Sequence, residues 1–555
     1  MRTPAPWLVP LPDAETMRAI DRWAIEERGV AGLDLMERAG AGVARALERL
    51  APDGPVTVVC GKGNNGGDGL VAARLLREVG RPVRVVCVAP PQELAGDARA
   101  NLERLSGEQP VRLDGTSWTG ADATAEAALV PSAELFGAHA AVIDAVLGTG
   151  FQGQPRDPAL AAIEAINAAG TAGAPVLSVD VPSGVDASTG VVAGAAVRAS
   201  ATVTFHAAKP GLWIAPGKAC VGQVQTLEIG IPRGAPGAAS VGLIAASVLE
   251  QLPRRQASST KFSSGHVLVA GGSRGLTGAP RMAAEASMRA GAGYVTACVP
   301  VSLQGILAAA GTPELMTRGL PDADGALTAE GVGEVLEAGA RGGALALGPG
   351  LGRSDGAAAF ARALARDADV AMVLDADGLN AHAGRLGELA ARSAPTVLTP
   401  HAGELGRLLG LDSAEIERER LRHVRAAAAQ AQAVVVLKGD DTLIATADGQ
   451  VAVSAGASPA LATAGTGDVL SGVIAALLSQ GLDTFTAAAA GVRLHADAGR
   501  EAARRVGAAE GVIASDVIAA LAHARGHARR ARERGSQAGR ARPGGGRPSE
   551  VPDDA

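Results

Sequence analysis

The sequence predicts an α/β protein with two domains, each built around a mainly parallel sheet. Short runs rich in valine and alanine alternate with longer stretches of helical periodicity along most of the 555 residues, and this alternation is typical of βαβ units. The alternation stops once, in the small-residue stretch RGAPGAAS at residues 233–240, and then starts again. Two rounds of one pattern, separated by a single break, indicate two α/β domains.

Helices come first in the N-terminal domain. The apolar residues in TMRAIDRWAIEE and LDLMERAGAGVARALERL recur at helical spacing, which predicts helices within the first 50 residues. Five short apolar runs follow, with helical patterns and glycine-rich loops between them. We therefore predict strands at residues 56–60, 83–88, 141–146, 176–180 and 201–205.

The second domain repeats this pattern with a further series of apolar segments. They read HVLVAGG, TACVP, ALALGPG, VAMVLDADG, TVLTPHAGE and AVVVLKGDDTLIAT. We place the boundary in the small-residue stretch, so that the first domain spans residues 1–238 and the second spans residues 239–525. Residues 526–555 are rich in arginine, glycine and proline, and we predict a disordered tail there.

The composition argues against several classes of function. The net charge of −6 gives no reason to expect a nucleic-acid partner, and the 4 cysteines stand singly rather than in zinc-site pairs. No apolar run reaches the roughly 20 residues that span a membrane, and the proline-rich N-terminus does not resemble a signal peptide. We expect a cytoplasmic enzyme whose partners are small molecules rather than nucleic acids or membranes. Whether it forms a homo-oligomer is left open.

The loop CGKGNNGGDGL, residues 60–70, joins a predicted strand to a predicted helix. Backbone N–H groups and the positive end of the helix dipole converge on an anion at such a junction. The loop matches the dinucleotide fingerprint GxGxxG, as does GTGFQG at residues 148–153. Neither match has the acidic residue about 20 positions on that holds a ribose hydroxyl, which argues against an ordinary nicotinamide dehydrogenase. The alternative is a glycine turn that only lets the helix approach the strand.

Oxygen-bearing side chains follow or end several predicted strands of the first domain. The set comprises Asn64, Asn65, Asp68, Asp144, Asp180, Ser183 and Asp186. Strand ends of a doubly wound sheet meet at its ligand-binding edge, and amide, carboxylate and hydroxyl oxygens suit a hard cation. The residues alone leave potassium, magnesium and calcium open, and each aspartate taken singly could instead form a cap or turn.

Four motifs in one order resemble those of the NAD(P)H-hydrate epimerases over residues 13–232: GKGNNGGDGLVAARLL, VIDAVLGTGFQG, VDVPSGVDASTG and TVTFHAAKPGL. The resemblance implies a Rossmann-like three-layer sandwich that acts on hydrated nicotinamide cofactors. It implies a potassium ion bound by Asn65, Asp144 and Ser183, and it makes Asp180 a substrate contact and a catalytic residue. The other implied substrate contacts are Asn64, Asn65, Gly66, Gly67, Asp68, Gly148, Thr149, Gly150, Phe151, Gln152, Gly153 and Gln154. The glycine loop would then hold a dinucleotide as substrate rather than as redox cofactor.

The stretch LATAGTGDVLSGVIAALL, residues 461–478, is the most informative part of the second domain. Gly465 and Gly467 precede an apolar helical run that starts near Val469, so the loop offers N–H groups to an anion. Asp468 would project into the same place, where a carboxylate can take a proton from a hydroxyl. The alternative is that Asp468 only caps the helix.

A second polar segment, KGDDT, follows the apolar run VVVL. Lys438 and Thr442 in this segment are suited to a phosphate or a nucleotide, whereas a surface lysine is the plain alternative for Lys438. No GxxxxGK[ST] loop occurs in the sequence, which argues against a P-loop ATPase.

The GTGD loop is the signature of the ribokinase-like superfamily, and residues 241–520 more narrowly resemble the ADP-dependent NAD(P)H-hydrate dehydratases. The supporting motifs are GHVLVAGGSRGLTGAPRMAAEASMRAGAGYV, TPELM, GPGLG, LDADGLN, LTPHAGELGRLL and KGDDT. The resemblance implies a ribokinase-like α/β domain whose nucleotide contacts are Lys438, Gly439, Asp440, Asp441, Thr442 and Gly467. The implied substrate contacts are Ala279, Gly350, Gly352, His401 and Asp468. The chain departs from the family pattern at Leu276, Ala457 and Ala464.

Together the two resemblances imply a bifunctional enzyme that repairs hydrated NADH and NADPH. The first domain would interconvert the R and S hydrates with potassium, and the second would dehydrate the S hydrate with ADP and magnesium, releasing AMP and phosphate. Asp468 would be the base when ADP phosphorylates the hydroxyl. One alternative is a ribokinase-like kinase of the hydroxymethylpyrimidine or hydroxyethylthiazole type with a non-catalytic, cofactor-binding first domain. Another is a first domain that serves as a cofactor sensor without chemistry.

Overall fold

A computed structural model describes residues 5–113 and 141–526 of the chain. These residues divide into two compact units: residues 10–242 form the first, and residues 5–9 together with the chain from residue 243 form the second. The N-terminal segment contributes strand β1 (Leu8–Pro10). The tail predicted at residues 526–555 lies, apart from its first residue, outside the described residues.

Helices α1 (Ala14–Arg22) and α2 (Gly32–Leu50) open the first unit, in agreement with the helical periodicity. Its strands are β2 (Val56–Cys60), β3 (Val83–Cys87), β4 (Ala141–Ala145), β5 (Val176–Val179), β6 (Ala201–Phe205) and β7 (Gln223–Leu227). The connecting helices are α3 (Asn64–Glu78), α4 (Gly96–Glu103) and α5 (Ala159–Thr171). The sequence does not predict β7, because its QVQTL segment is partly exposed and lacks a continuous apolar run.

The sheet of the first unit has the strand order β3-β2-β4-β5-β6-β7 among the described residues, and every neighbouring pair is parallel. Its core contains buried strand residues such as Val58, Ile143 and Leu177. Strands β3 and β4 lie on opposite sides of β2. The connection from β2 to β3 and the connection from β4 to β5 therefore lead toward opposite edges of the sheet. Such a reversal of strand order opens a crevice at the carboxyl ends of the strands.

The second unit contains a larger sheet. Besides β1, the strands of this sheet are β8 (Val241–Ile244), β9 (His266–Ala270), β10 (Tyr294–Pro300), β11 (Met316–Leu320), β14 (Ala344–Leu347), β15 (Ala371–Leu374), β16 (Thr396–Leu398), β17 (Val434–Leu437), β18 (Leu443–Ala445) and β19 (Val451–Val453). Strands β12 (Asp322–Ala323) and β13 (Ala326–Leu327) form a separate short β-hairpin. The helices are α6 (Gly278–Arg289), α7 (Val301–Ala310), α8 (Val332–Gly339), α9 (Asp355–Asp367), α10 (Ala376–Asn380), α11 (Ala402–Leu409), α12 (Ser413–Arg418), α13 (Arg420–Ala431), α14 (Thr466–Ser479) and α15 (Thr484–Val506).

The strand order of the large sheet, within the part of the chain that the structure describes, is β1-β8-β19-β18-β17-β16-β15-β14-β9-β10-β11. All neighbours from β17 to β11 are parallel, and β17, β18 and β19 run antiparallel to one another in turn. The order reverses at β9, which has β10 on one side and β14 on the other. The segments that follow β9 and β14 therefore face a second crevice at the carboxyl edge.

Helix α14 carries the GTGD motif and lies very close to α6. A Cβ atom at Gly472 would lie 2.1 Å from the carbonyl oxygen of Ala283, and Ser287 Oγ donates a hydrogen bond to the carbonyl oxygen of Gly472 at 2.9 Å. Only glycine permits this approach, which sets the position of the motif over the sheet. Among the described residues, no helix combines the length and the apolar character that crossing a bilayer would require.

Candidate active sites

The three residues for which the resemblance implies potassium binding lie together in the first unit. The buried carboxylate of Asp144 accepts hydrogen bonds from Ser178 Oγ at 2.8 Å and from Ser183 Oγ at 2.5 Å. Burial raises the pKa of Asp144, although these hydrogen bonds oppose the shift. Asn65 Nδ2 donates to the carbonyl oxygen of Leu147 at 3.1 Å, and Asn65 Oδ1 is left buried without a hydrogen-bond partner. An unpartnered amide oxygen close to a carboxylate and a hydroxyl fits the oxygen ligands of a hard cation.

Asp180 follows β5 and has a left-handed backbone conformation, with φ +64°. Lys209 Nζ donates to Asp180 Oδ1 at 2.5 Å, to Thr204 Oγ1 at 2.8 Å and to the carbonyl oxygen of Phe205 at 3.1 Å. Thr149, in the predicted substrate loop, donates to Asp180 Oδ2. Burial raises the pKa of Asp180, but the charge and hydrogen bonds of Lys209 outweigh it, so the pKa lies below its ordinary value. Asp180 is therefore a carboxylate at neutral pH.

The NNGGD segment begins α3, and Gly63 is its N-cap residue without a side-chain cap. A Cβ atom at Gly66 would lie 1.9 Å from the carbonyl oxygen of Gly61, so the loop folds tightly on itself. Positions 150 and 153 of the other predicted substrate loop, in contrast, have open space around them. Asp68 is 9% exposed, and no described residue donates a hydrogen bond to its carboxylate. Asp186 accepts from the backbone N–H groups of residues 188 and 189, which is the turn-forming role.

In the second unit, Asp468 lies in the first turn of α14. Gly465, with φ +89°, is the N-cap of this helix, and no side chain caps it, so the capping alternative for Asp468 does not describe the structure. Burial raises the pKa of Asp468 to about 7, with the charge of Asp375 adding to the shift and that of Lys438 opposing it. A carboxylate with a pKa near neutrality is well suited to general base catalysis.

Lys438 follows β17 and lies beside the start of α14. Its Nζ donates to Asp375 Oδ1 at 2.9 Å and lies 3.8 Å from Glu404 Oε2. Ser471 Oγ donates to Asp375 Oδ2 at 2.5 Å, so both oxygens of Asp375, a residue only 2% exposed, are occupied. A Cβ atom at Gly467 would lie 3.5 Å from Lys438 Nζ. Lys438 is thus held next to the N-terminal end of the helix rather than free on the surface.

The KGDDT segment forms the turn between β17 and β18, and its own side chains hold that turn. Thr442 Oγ1 donates to the carbonyl oxygen of Gly439 at 2.6 Å. Asp440 Oδ1 accepts from the backbone N–H of Ala457 at 3.1 Å. Asp441 is buried in an ion pair with Arg420, at 3.0 Å between Oδ1 and a guanidinium nitrogen. The two aspartates therefore shape the turn that presents Lys438.

His401 is the N-cap of α11 and is not a core residue, since its side chain is 54% exposed. Its Nδ1 accepts from the backbone N–H of Gly403 at 3.0 Å and of Glu404 at 3.4 Å. Burial, together with the charges of Lys438 and Arg407, lowers the pKa of His401, so the ring is neutral at neutral pH. Its Nε2 lies 3.5 Å from Glu404 Oε1.

The segments after β9 and β14 meet at the reversal of strand order. Gly350, with φ +62°, approaches Ala279 so closely that a Cβ at position 350 would lie 3.1 Å from the Cβ of Ala279. Gly352 N donates to Asp377 Oδ2 at 3.0 Å. The structure thus brings three of the predicted substrate contacts of the second unit into one place.

Comparison with known proteins identifies both units. A family profile described as YjeF-related protein N-terminus matches residues 32–211, and one described as NAD(P)H-hydrate dehydratase matches residues 267–522. The chain is 42% identical over 516 residues to the bifunctional NAD(P)H-hydrate repair enzyme Nnr of Moorella thermoacetica, covering 91% of this chain and 94% of that protein. The chain belongs to the family of bifunctional NAD(P)H-hydrate repair enzymes.

The chain is also similar to a second member of this repair family and, over about half of its length, to one solved structure. The Salinibacter ruber bifunctional NAD(P)H-hydrate repair enzyme Nnr is 41% identical over 532 residues, covering 92% of this chain and 95% of its own. The crystal structure of the ADP/ATP-dependent NAD(P)H-hydrate dehydratase from Bacillus subtilis, co-crystallised with ATP/Mg²⁺, is 28% identical, covers 52% of this chain and 100% of its own, and has a TM-score of 0.44.

The candidate sites contain two residues that the sequence patterns do not predict, Lys209 and Asp375. Lys209 stands inside the motif TVTFHAAKPGL, and Asp375 ends an apolar strand in the same way as Asp180. The second of these patterns is a usable signal, because a carboxylate that closes a buried parallel strand lies at the ligand-binding edge. Nothing in the sequence pairs either residue with its partner.

Proposed function

We propose that the chain repairs hydrated NADH and NADPH at two active sites, one in each unit. The first unit interconverts the R and S hydrates, and the second dehydrates the S hydrate with ADP, giving NAD(P)H, AMP and phosphate. The observation that supports this proposal best is that family similarity extends over both units. A hydroxymethylpyrimidine or hydroxyethylthiazole kinase activity would not account for the similarity of the first unit to the repair family.

The geometry of the second unit suits phosphoryl transfer from ADP. Lys438 lies beside the N-terminal turn of α14, where an ammonium and helix N–H groups together can hold phosphate oxygens. Asp468, with a pKa of about 7, takes the proton from the hydroxyl of the hydrate as that oxygen attacks the terminal phosphorus of ADP. The phosphate then leaves with the C–O bonding electrons, and the ring double bond reforms as a ring proton is lost. Magnesium held by the phosphates of the nucleotide would add positive charge at this site.

The first unit offers a potassium site and an ionised carboxylate. Asn65, Asp144 and Ser183 would hold potassium, with the unpartnered Oδ1 of Asn65 as the oxygen that most needs a ligand. Potassium would add a positive charge and tie together the segments that follow β2, β4 and β5. Asp180 faces the predicted substrate loop through Thr149 and, being ionised, can accept a proton from the hydrate or from water.

One experiment tests both activities. The full chain is incubated with a mixture of R and S hydrates, with and without ADP, and the dihydronicotinamide absorbance is followed. We expect complete conversion of both hydrates to NAD(P)H with ADP. Without ADP we expect no rise in this absorbance, because interconversion leaves the ring hydrated. Conversion that stops when the S hydrate is exhausted would contradict the epimerase assignment. Absence of conversion with ADP and with ATP, together with phosphorylation of a hydroxymethylpyrimidine or hydroxyethylthiazole, would favour the kinase alternative.

A further inference from the structure

Two carboxylates of the first unit, Asp68 and Asp180, lie in opposite local environments. Asp180 receives hydrogen bonds from Lys209, Thr204 and Thr149. Asp68 is buried at the start of α3, and its carboxylate receives none from the described residues. One carboxylate is therefore stabilised in its ionised form, and the other is not.

Lys209 is the charged partner that distinguishes Asp180 from Asp68. It is 1% exposed, and each of the three N–H groups of its ammonium has an acceptor, in Asp180, Thr204 and the backbone of Phe205. With all its donors in use, Lys209 has none left for a substrate. Any effect of Lys209 on a reaction at this site is therefore exerted through the carboxylates around it.

The charged groups that act on Asp68 are Asp180, Asp21 and Lys209. Burial raises the pKa of Asp68 well above its ordinary value, the charges of Asp180 and Asp21 raise it further, and Lys209 opposes them only in part. Asp21, on α1, also has a raised pKa because of its burial. The pKa of Asp180 instead lies below its ordinary value. Of the two carboxyl groups, Asp68 therefore keeps its proton to a higher pH than Asp180 does, and such a division of pKa values is the one that acid–base catalysis requires.

We propose that Asp68 is the proton donor and Asp180 the proton acceptor of hydrate epimerisation, and that Lys209 is a positioning residue that keeps these roles apart. This inference rests on the epimerase function proposed above and deepens it.

Epimerisation at this site proceeds by loss and return of water. Asp68 gives its proton to the hydroxyl of the hydrate, which leaves as water with the electron pair of the C–O bond. The lone pair of the ring nitrogen bonded to that carbon stabilises the resulting cation. Water then forms a new C–O bond on the opposite face and loses its proton to Asp180. Exchange with solvent returns a proton to Asp68 and removes one from Asp180.

The first test replaces the lysine. Lys209→Met removes the charge at similar length, so burial then dominates and the pKa of Asp180 rises. We expect epimerisation at pH 7 to fall about 100-fold or more, and the acid limb of its kcat/KM profile to move up by about one to three pH units. Lys209→Arg keeps the charge and should leave the limb near its original pH.

Dehydration of the S hydrate, measured on the same preparations, reports whether the variant chain is folded and active elsewhere. Lys218→Met, in the same unit but outside this cluster, is the matched control and should change neither activity. A Lys209→Met variant with an unchanged rate, or with a rate lowered equally at every pH, would overturn the positioning role. If the unaltered chain does not epimerise the hydrate at all, the proposed function fails instead.

The second test addresses the donor. Asp68→Asn breaks no hydrogen bond to that carboxylate among the described residues, so the variant should fold. We expect it to lose epimerisation by about 100-fold or more, because an amide is not an acid. In water enriched in oxygen-18, enzymatic epimerisation should place the label in the product faster than the uncatalysed exchange does. Retention of the original oxygen, or normal epimerisation by Asp68→Asn, would overturn the assignment.

Discussion

The ammonium of Lys438 lies 2.9 Å from Oδ1 of Asp375, while Ser471 occupies the other oxygen of that carboxylate. This arrangement links the end of β15 to the end of β17 and to α14. The charge of Asp375 raises the pKa of Asp468, and that of Lys438 lowers it. The ion pair thus fixes the position of the Lys438 ammonium and at the same time influences the pKa of Asp468.

Replacing Asp375 tests this link. Asp375→Asn removes a negative charge near Asp468 and frees the charge of Lys438, and both changes lower the pKa of Asp468. We therefore expect the acid limb of the dehydration profile to move to lower pH, even though the maximal rate falls because Lys438 is less well held. The kcat/KM of dehydration between pH 5 and 9 is the measurement, and Asp367→Asn, an exposed carboxylate on α9, is the control. A limb that moves to higher pH would contradict the electrostatic explanation.

The two activities of the unaltered chain should depend differently on pH. Dehydration needs Asp468 ionised, and since its pKa is about 7, the rate should fall roughly tenfold per pH unit below neutrality. Epimerisation needs Asp180 ionised, and the depressed pKa of Asp180 should keep it active at lower pH. Both rates are measured on one preparation across the same buffers. Coincident acid limbs would show that a different group controls one of them.

The base itself is tested by Asp468→Asn. The amide has nearly the same shape but cannot accept the hydroxyl proton, so we expect dehydration to fall by about 100- to 10,000-fold. Removal of a negative charge near the phosphates should leave ADP affinity unchanged or tighter, as measured by calorimetry. Epimerisation, which takes place in the other unit, is the internal control. Near-normal dehydration would mean that the base lies elsewhere.

Potassium should be required for epimerisation. Asn65, Asp144 and Ser183 bring one formal negative charge to the site, which suits a monovalent cation. Replacing potassium by tetramethylammonium should slow epimerisation, and Asn65→Leu, which removes the unpartnered oxygen, should abolish the response to potassium. Epimerisation at an unchanged rate in potassium-free buffer would refute the site.

The N-terminal segment should stabilise the second unit. Trp7 is 3% exposed and its ring lies 5.2 Å from that of Phe485. Trp7→Ala should lower the free energy of unfolding of this unit by about 3–5 kcal/mol, so that dehydration is lost at lower urea concentration than in the unaltered chain. Trp23→Ala, in the core of the first unit, should shift the loss of epimerisation instead. Equal shifts of both activities in either variant would show that the two units unfold together.

Much of the fold can be read from the sequence because its signals are local. The segments VTVVC at residues 56–60 and ATVTF at residues 201–205 are rich in β-branched residues, and the structure places β2 and β6 there. Strands β1 and β7 are not predicted, since three residues carry no periodicity and a partly exposed strand has no apolar run. Residues 5–9 belong to the second unit, a long-range association that no local pattern contains.

The candidate sites likewise depend partly on local sequence signals and partly on long-range packing. The sequence by itself determined the glycine loops, the GTGD helix start and the oxygen-bearing strand ends, because each depends on backbone conformation within a few residues. Only the tertiary structure decided the charge pairs, Asp180 with Lys209 at 29 residues' separation and Asp375 with Lys438 at 63. Strand order and crossover direction set these partners, and the pKa of a buried carboxylate depends on which charges that packing places beside it. The sequence therefore predicts Asp180 and Asp468 as candidate catalytic carboxylates. The packing around each of them, within its own unit, decides the pH at which it is ionised.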